Sequence, residues 1–359
     1  MADTENGGGA ALHSENWMAA EIAEQPSVIA RGLEENRKAA VSIARHVRDR
    51  QIKHCMIAAR GTSDHAAMYG KYLGETQLGI PVSLASPSVW TLYEAKPNLE
   101  NSMVIGLSQS GQGTDVIRVL EAAKEQGALT LAITNFGDSP LAAVADEVLL
   151  LKAGQERSVA ATKTYTASLA ALALTTAMVA KDPALESELH GIPGQMQTVL
   201  SLEPEIQDVA ERYCFMENCV AIARGFNQCT AFEAGLKLSE TCYVVAHAYS
   251  GADFEHGPIA VVDRGFPCIL FNPEGKPHHQ LVDLARRLGN RGADRLVIAH
   301  DDESLALGER SIRIPVFVPE RVSPLVYILA GQMFAYHLAK HKGYDPDNPR
   351  GLNKVTKTI

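Results

Sequence analysis

The sequence predicts two tandem doubly wound α/β/α domains, each with three layers and a mainly parallel sheet. Two observations lead to this fold class. The chain has 359 residues, which suits two domains of ordinary size. It also repeats itself, because residues 54–76 and 218–241 both carry a short apolar run, an Arg-Gly pair, a polar turn and a helical pattern that ends in Glu-Thr.

Each repeat continues with short apolar runs that alternate with helical patterns such as Asp115–Gln126 and His279–Leu288. This alternation is typical of a parallel sheet covered by helices on both faces. The most apolar stretch, Thr164–Ala180, is short for a membrane span and rich in Ser, Thr and Ala, so it predicts a buried helix. The predicted strands are Val82–Ala85, Met103–Leu107, Thr130–Thr134, Val148–Leu151, Tyr243–Val245, Cys268–Phe271, Arg295–Ala299 and Ile312–Val316.

The same patterns suggest the domain limits. We expect a disordered N-terminus at 1–15, a first domain at 16–195, a second domain at 205–345 and an extended arm at 346–359. Leu189–Pro204 would hold the link between the domains, and the prolines and glycine of the arm disfavour a helix there. Ligands of such sheets bind outside the carboxyl ends of the strands, so the polar turns after the strands are the expected site.

Composition narrows the classes of function. The formal net charge is −9 and no long basic run occurs, which argues against a nucleic-acid partner. Six cysteines are scattered without a CxxC pair or zinc-ligand spacing, which indicates reduced thiols and no metal site. The N-terminus lacks the apolar segment of a signal peptide. We therefore expect a cytoplasmic protein without a membrane or nucleic-acid partner.

Three hydroxyl-rich turns are candidate anion sites. Glycines let the backbone approach a ligand, hydroxyls donate hydrogen bonds, and a helix N-terminus offers unpaired N–H groups. A turn of this kind follows the strand Met103–Leu107, another follows the first strand of the repeat, and a third precedes the apolar helix. Their candidate residues are Ser108, Gln109, Ser110, Gly111 and Thr114, then Arg60, Gly61, Thr62 and Ser63, then Ala160, Ala161 and Thr162.

Each turn taken alone could be a helix N-cap and nothing more, and the occurrence of three at strand ends favours binding. Nucleotide sites are poorly supported. The chain has no GxxxxGK[ST] motif, and Val116 stands where a GxGxxG motif that starts at Gly111 would need its third glycine. We therefore predict no cofactor.

A set of motifs occurs in a fixed order along the chain: Glu21–Pro26, Ser108–Gly111, Ala161–Thr164, Glu233–Glu240, Glu255–Pro258 and Leu352–Thr356. Together they resemble the sugar isomerase (SIS) domain family over roughly residues 17–359. The order resembles the isomerase half of glucosamine-6-phosphate synthase. The RGTSDHA turn and the C-terminal tail are closer still to the SIS-type glucosamine-6-phosphate deaminases.

The resemblance implies roles for five residues. Glu240 matches the glutamate that moves a proton at C2 of the opened sugar, and Glu233 and Lys237 match its partners on the same helix face. Without the resemblance, this spacing would read as a solvated ion-pair face. His256 matches the histidine that opens the sugar ring and comes from the neighbouring subunit, which implies a homodimer. Lys354 matches the lysine that meets the open-chain carbonyl.

The chain also departs from the family pattern. Gly113 stands where relatives carry Thr or Ser, and Thr114 follows it. His247 stands where the synthase has a glutamate. Glu255 replaces a Lys or an apolar residue beside His256, and an added carboxylate there could raise the pKa of the histidine or receive a cationic amine. Glu255 is therefore included among the substrate-pocket residues.

A function follows from these expectations. The chain enters the SIS region almost at its start, without the glutaminase domain of the synthase, so we expect hydrolysis of glucosamine 6-phosphate to fructose 6-phosphate and ammonia. Three alternatives stay open. They are deglycation of a 6-phosphorylated fructosamine, an isomerase subunit fed by a separate glutaminase, and a sugar-phosphate sensor without activity.

Overall fold

The computed structural model describes residues 16–354 and contains two five-stranded sheets, all of whose strand pairs are parallel. The first sheet has the order β2-β1-β3-β4-β5, and the second has the corresponding order β7-β6-β8-β9-β10. The predicted fold class is therefore confirmed. The strands are β1 (His54–Ala58), β2 (Val82–Leu84), β3 (Ser102–Leu107), β4 (Leu129–Thr134), β5 (Glu147–Leu150), β6 (Asn218–Ala223), β7 (Val245–Ser250), β8 (Pro267–Asn272), β9 (Asp294–Ala299) and β10 (Arg310–Arg313).

Helices cover both faces of each sheet. Those of the first half are α1 (Trp17–Asp49), α2 (Thr62–Leu73), α3 (Ser88–Thr91), α4 (Thr114–Glu125), α5 (Pro140–Val144), α6 (Lys163–Ala180), α7 (Pro183–Leu200) and α8 (Glu203–Arg212). Those of the second half are α9 (Gln228–Cys242), α10 (Gly251–Glu255), α11 (His278–Asn290), α12 (Asp302–Leu305) and α13 (Pro324–His341). The segment Leu189–Pro204, expected to link the domains, covers the second part of α7, a two-residue turn and the start of α8.

The two halves share a helical layer between their sheets. α6 and α13 are apolar on all sides and are buried along almost their whole length, as such helices must be. α1 packs against α6, α9 packs against α13, and α2 packs against α9. The predicted buried helix over Thr164–Ala180 is thus confirmed as α6. No helix within residues 16–354 is long and apolar enough to cross a membrane.

Two predicted strands are displaced along the chain. We expected a strand at Tyr243–Val245, but Tyr243 ends α9 in the left-handed conformation with φ 55°, so β7 begins only at Val245. We expected another at Ile312–Val316, and β10 begins two residues earlier and ends at Arg313. In both cases the ladder to the neighbouring strand, rather than local apolarity, sets the boundary.

Candidate active site

One cavity of about 390 Å³ opens at the carboxyl edge of the first sheet, where parallel α/β folds place their ligands. The first half supplies most of its wall, and Glu240 of α9 and the C-terminal arm close it. It is lined by Arg60, Gly61, Thr62, Ser63, Leu107, Ser108, Gln109, Ser110, Gly113, Asp115, Val116, Val159, Ala161, Thr164, Tyr165, Ser168, Glu240, Leu352, Asn353 and Lys354.

The turn between β3 and α4 forms one wall of the cavity. Its backbone curls at Gly111, where φ is +64° and an added Cβ would lie 2.2 Å from Ser139 Oγ, so only glycine fits. The backbone N–H of Gly111 donates to Ser108 Oγ at 3.2 Å, and that of Gln112 donates to Ser110 Oγ at 3.3 Å. The turn is therefore internally braced while Ser108, Gln109 and Ser110 line the cavity.

The turn after β1 forms the adjacent wall. Gly61 has φ +51°, and Thr62 and Ser63 begin α2 at the cavity. Arg60 Nε donates to Asp115 Oδ2 at 2.7 Å, and the Asp115 side chain is 1% exposed against 53% for Arg60. This ion pair ties the first turn to the start of α4. The guanidinium of Arg60 is left partly open to solvent at the mouth of the cavity.

A buried charge cluster on α9 lies behind the turn after β1. Lys237 is fully buried, and its Nζ lies 2.6 Å from Glu240 Oε2 and 3.3 Å from Glu233 Oε1. Burial alone would lower the pKa of Lys237, but the two carboxylates outweigh it and raise the pKa above its usual value. Lys237 is therefore a fixed positive charge beside Glu240. Glu240 is 22% exposed and the only member of this trio that lines the cavity.

His65 completes this cluster and was not predicted from the sequence. Its Nδ1 lies 2.7 Å from Glu233 Oε2, and the hydroxyl of Thr62 donates to Glu233 Oε1 at 3.0 Å. A contact between the two domains thus fixes the carboxylate of Glu233, which is itself fully buried. The available signal was helical spacing, since Thr62 and His65 stand three residues apart on one face of α2.

The arm enters the cavity through Lys354. Its Nζ donates to Glu156 Oε2 at 2.8 Å and to the carbonyl of Ser158 at 2.7 Å. Upstream, the carboxylate of Asp347 accepts from the backbone N–H groups of Trp17 and Met18 at 2.8 and 2.7 Å. The described part of the arm, up to Lys354, is non-helical as expected, and it is docked at both points.

Glu156 was also missed, since a single loop carboxylate has no spacing signal. Its side chain is fully buried and accepts from the backbone N–H groups of Thr162 and Thr164 and from the Thr164 hydroxyl. Burial raises the pKa of Glu156, but Lys354 and these donors outweigh it and lower the pKa overall. Glu156 therefore stays charged and holds the ammonium of Lys354 at the cavity wall.

A second buried carboxylate braces the same loop from α1. Glu21 accepts from the backbone N–H groups of Arg157 and Ser158 at 2.5 and 3.2 Å. Burial raises the pKa of Glu21 to about 7, although the hydrogen bond from Arg157 opposes this shift. Glu21 lies in the Glu21–Pro26 motif that the sequence singled out, and its contacts give that motif a structural purpose.

Several predicted residues lie beside the cavity rather than on it. Gly111 and Thr114 belong to the β3–α4 segment, where Gly113 and Asp115 supply the lining instead. Ala160 is fully buried behind Ala161. Thr162 is fully buried as well, and its hydroxyl has no hydrogen-bond partner within residues 16–354.

His256 and Glu255 lie outside the cavity. Both are exposed at the end of α10, in the second half of the chain. The carboxylate of Glu255 forms an ion pair with Arg287 of α11, so within one chain it is directed to that guanidinium and not to a substrate amine. The expectation that Glu255 belongs to the substrate pocket is therefore not met within a single chain. His256 is on the surface of its own chain.

Comparison with known proteins shows which family has this architecture. The family model described as "SIS domain" matches residues 19–178 and 217–342, one match in each half. Glutamine–fructose-6-phosphate aminotransferase [isomerizing] of Pyrococcus horikoshii is 34% identical over 346 residues, which cover 95% of this chain and 57% of the relative. The chain thus spans little more than half the length of this relative.

Two solved structures are similar throughout. The C-terminal domain of glucosamine-fructose-6-phosphate aminotransferase from Francisella tularensis has a TM-score of 0.83 and 26% identity, covering 95% of this chain and all of that chain. A candidate phosphosugar isomerase from Silicibacter pomeroyi DSS-3 has a TM-score of 0.84 and 31% identity, covering 92% of this chain and 99% of that chain. With both halves matched and the cavity at the edge of the first sheet, this chain belongs to the SIS domain family.

Proposed function

We propose that this protein hydrolyses glucosamine 6-phosphate to fructose 6-phosphate and ammonia. The observation that carries the proposal is the composition of one cavity. A wall of hydroxyls and helix N-termini suits a phosphate, while Glu240 and Lys354 line the same cavity and suit the carbon chain attached to it. The homology to the aminotransferase, whose name includes an isomerising activity, supports sugar-phosphate chemistry of this kind.

The phosphate would bind at the two turns that follow β1 and β3. Ser63, Ser108 and Ser110 present hydroxyls there, and α2 and α4 begin beside them. Thr62 lies at the same place, but its hydroxyl donates to Glu233. A protein of net charge −9 needs such a local device to hold an anion. Arg60 adds a guanidinium at the mouth of the cavity, partly neutralised by Asp115.

Glu240 would carry the central proton transfer. In the open-chain sugar, its carboxylate takes the proton from C2 and returns it to C1, so that the 2-amino aldehyde becomes the 2-imine of the ketose. Lys237 contacts Glu240 at 2.6 Å and cannot approach water itself, because it is fully buried. The lysine would hold the carboxylate in one orientation and stabilise its charged form before it takes the proton from C2 and after it returns the proton to C1.

Ring opening and hydrolysis need further groups. Lys354 would contact the carbonyl oxygen at C1 in the open chain, since its ammonium is held at the cavity wall by Glu156. A water then adds to C2 of the imine, ammonia leaves, and the ketone of fructose 6-phosphate remains. The proton at the ring oxygen would be moved by His256 of a second copy, because this side chain is exposed and outside the cavity of its own chain.

Subunit complementation tests the shared site. A mixture of Glu240→Gln and His256→Ala chains, refolded together in equal amounts, should recover about a quarter of wild-type activity, since half of the dimers would be mixed and each would hold one intact site. Each variant alone should be inactive. No recovery in a verified mixed dimer would show that His256 serves the cavity of its own chain.

A second candidate is the synthetic direction, in which the chain acts as the isomerase part of a glucosamine-forming enzyme with ammonia from elsewhere. The favouring observation is that the aminotransferase of P. horikoshii matches over 95% of this chain. The same residues would serve, since the proton transfer between C1 and C2 is the same step in reverse.

Measuring the release of ammonia from a set of phosphorylated substrates tests the proposed hydrolysis. We expect the protein to release ammonia from glucosamine 6-phosphate faster than from 6-phosphorylated fructosamines, and Glu240→Gln to lose about 10²–10⁴-fold in rate. The matched control is Glu205→Gln, which removes a carboxylate from the exposed first turn of α8. Release only from the fructosamines, or none from any substrate while sugar phosphate still binds, would refute the proposal.

A further inference from the structure

The second half of the chain contains a cavity that corresponds to the candidate active site by the internal repeat. It is about 690 Å³ in volume and opens at the carboxyl edge of the second sheet. Its walls come from the equivalent segments. The turn after β6 replaces the turn after β1, the segment after β8 replaces that after β3, and the turn before α13 replaces that before α6.

The helices correspond as well. Glu240, near the C-terminus of α9, lines the first cavity, and the segment just beyond the C-terminus of α2 lines the second through Thr76 and Gln77. The turns match in conformation, since Gly225 after Arg224 has φ +64° and Gly61 after Arg60 has φ +51°. The second cavity is thus built from the same parts of the repeat as the first.

The charges of the second cavity favour an anion. Arg224 is half-buried, and its guanidinium has no side-chain hydrogen bond or ion pair with any residue in the described part of the chain. Lys276 is exposed at the rim, and its ammonium is unpaired in the same sense. Arg321 is already bound to Glu188 and Asp182. Among the lining residues that the structure describes, Glu320 is the one acidic side chain, and it accepts from the backbone N–H of Lys276.

A half-buried guanidinium without a partner is best stabilised by an oxyanion such as a phosphate, two of whose oxygens can accept parallel N–H bonds from it. Around it the cavity offers the hydroxyl of Ser250 and the amide of Gln280, which are groups that bind sugar hydroxyls. We propose that this second cavity, distinct from the candidate active site, binds a phosphorylated sugar through Arg224 and Lys276.

Within residues 16–354, the second cavity lacks counterparts of the Lys237–Glu240 pair. Counted back from the Glu-Thr pair that ends each repeat, Tyr72 stands where Lys237 stands and Glu75 stands where Glu240 stands. Glu75 does not line the cavity, because it forms an ion pair with Lys71 and accepts from the backbone N–H of Val82. The site therefore binds its ligand without turning it over.

Counting bound ligand tests this proposal. Equilibrium dialysis of fructose 6-phosphate against Glu240→Gln, used so that the ligand is not converted, should give two molecules bound per chain. When Arg224→Gln and Lys276→Gln are combined with Glu240→Gln, one molecule should remain bound per chain. Adding instead Ser108→Ala and Ser110→Ala should remove the other molecule and leave one bound at Arg224.

A matched control keeps the result specific. Arg291→Gln with Lys340→Gln removes the same charge from two exposed positions outside both cavities, and it should leave two molecules bound. Thermal unfolding of each variant establishes that the chain is folded. One molecule per chain in the Glu240→Gln protein would overturn the proposal, and so would two molecules retained after both Arg224 and Lys276 are changed.

Discussion

Replacement of Lys237 by methionine tests the buried cluster between the domains. The ammonium is fully buried and contacts Glu240 at 2.6 Å and Glu233 at 3.3 Å. Removing one partner of a buried ion pair costs about 3–5 kcal/mol, because the remaining charge is left without compensation. Here the cost should fall at the lower end, about 3 kcal/mol, since Glu240 is 22% exposed and Glu233 keeps its contacts with Thr62 and His65.

Equilibrium urea unfolding, followed by circular dichroism, measures this cost. The matched control is Lys340→Met, because Lys340 is exposed in the last turn of α13 and its loss should change the free energy of unfolding by less than about 0.5 kcal/mol. Turnover should also fall in Lys237→Met, since the carboxylate of Glu240 loses its fixed partner. If the free energy of unfolding of Lys237→Met lay within about 1 kcal/mol of the wild-type value, the cluster would not be the paired and desolvated arrangement described here.

Three further predictions concern the loops around the cavity. Glu156→Gln should release the arm, so that proteolysis after Lys354 becomes faster while the global unfolding free energy changes less than in Lys237→Met. Glu21 has a pKa of about 7 in the folded protein, above its ordinary value, so folding favours its protonated form. Its contribution to the free energy of unfolding is therefore complete at low pH and is lost as the pH rises through 7. Wild type should therefore lose up to about 3 kcal/mol relative to Glu21→Gln between pH 4.5 and 8, and parallel pH profiles would contradict this. Gly111→Ala should weaken sugar-phosphate binding, measured by calorimetry, because its Cβ would meet Ser139; Gly127→Ala, a positive-φ control with open space around it, should leave affinity unchanged.

Much of the fold could be predicted because duplication and strand–helix alternation are properties of the sequence. The exact boundaries of short strands could not be predicted, as Tyr243 illustrates. Its apolar neighbours suggested a strand, but the residue ends α9 in the left-handed conformation. This conformation is needed because a packed helix ends there. Local apolarity does not distinguish the end of a buried helix from the start of a strand.

In the candidate site, too, some residues could be predicted from the sequence and others could not. Helical spacing placed Glu233, Lys237 and Glu240 on one face, and the structure joins them in a chain of contacts. Spacing could not identify Glu156, whose bond to Lys354 joins loops 198 residues apart in the sequence. Nor could it assign the cavity that His256 serves, because that depends on a surface presented to a second copy.

The central claim is that the carboxylate of Glu240 moves a proton between C1 and C2 of a sugar phosphate held at the edge of the first sheet. Incubation of fructose 6-phosphate and an ammonium salt with the protein in D₂O, followed by proton NMR, tests it most directly, because ammonia and the ketose form the imine on which the proton moves. The account predicts that the wild type incorporates one deuterium at C1 and that Glu240→Gln does so about 10²–10⁴-fold more slowly while still binding the ligand. Equal rates of incorporation in the two proteins would contradict it.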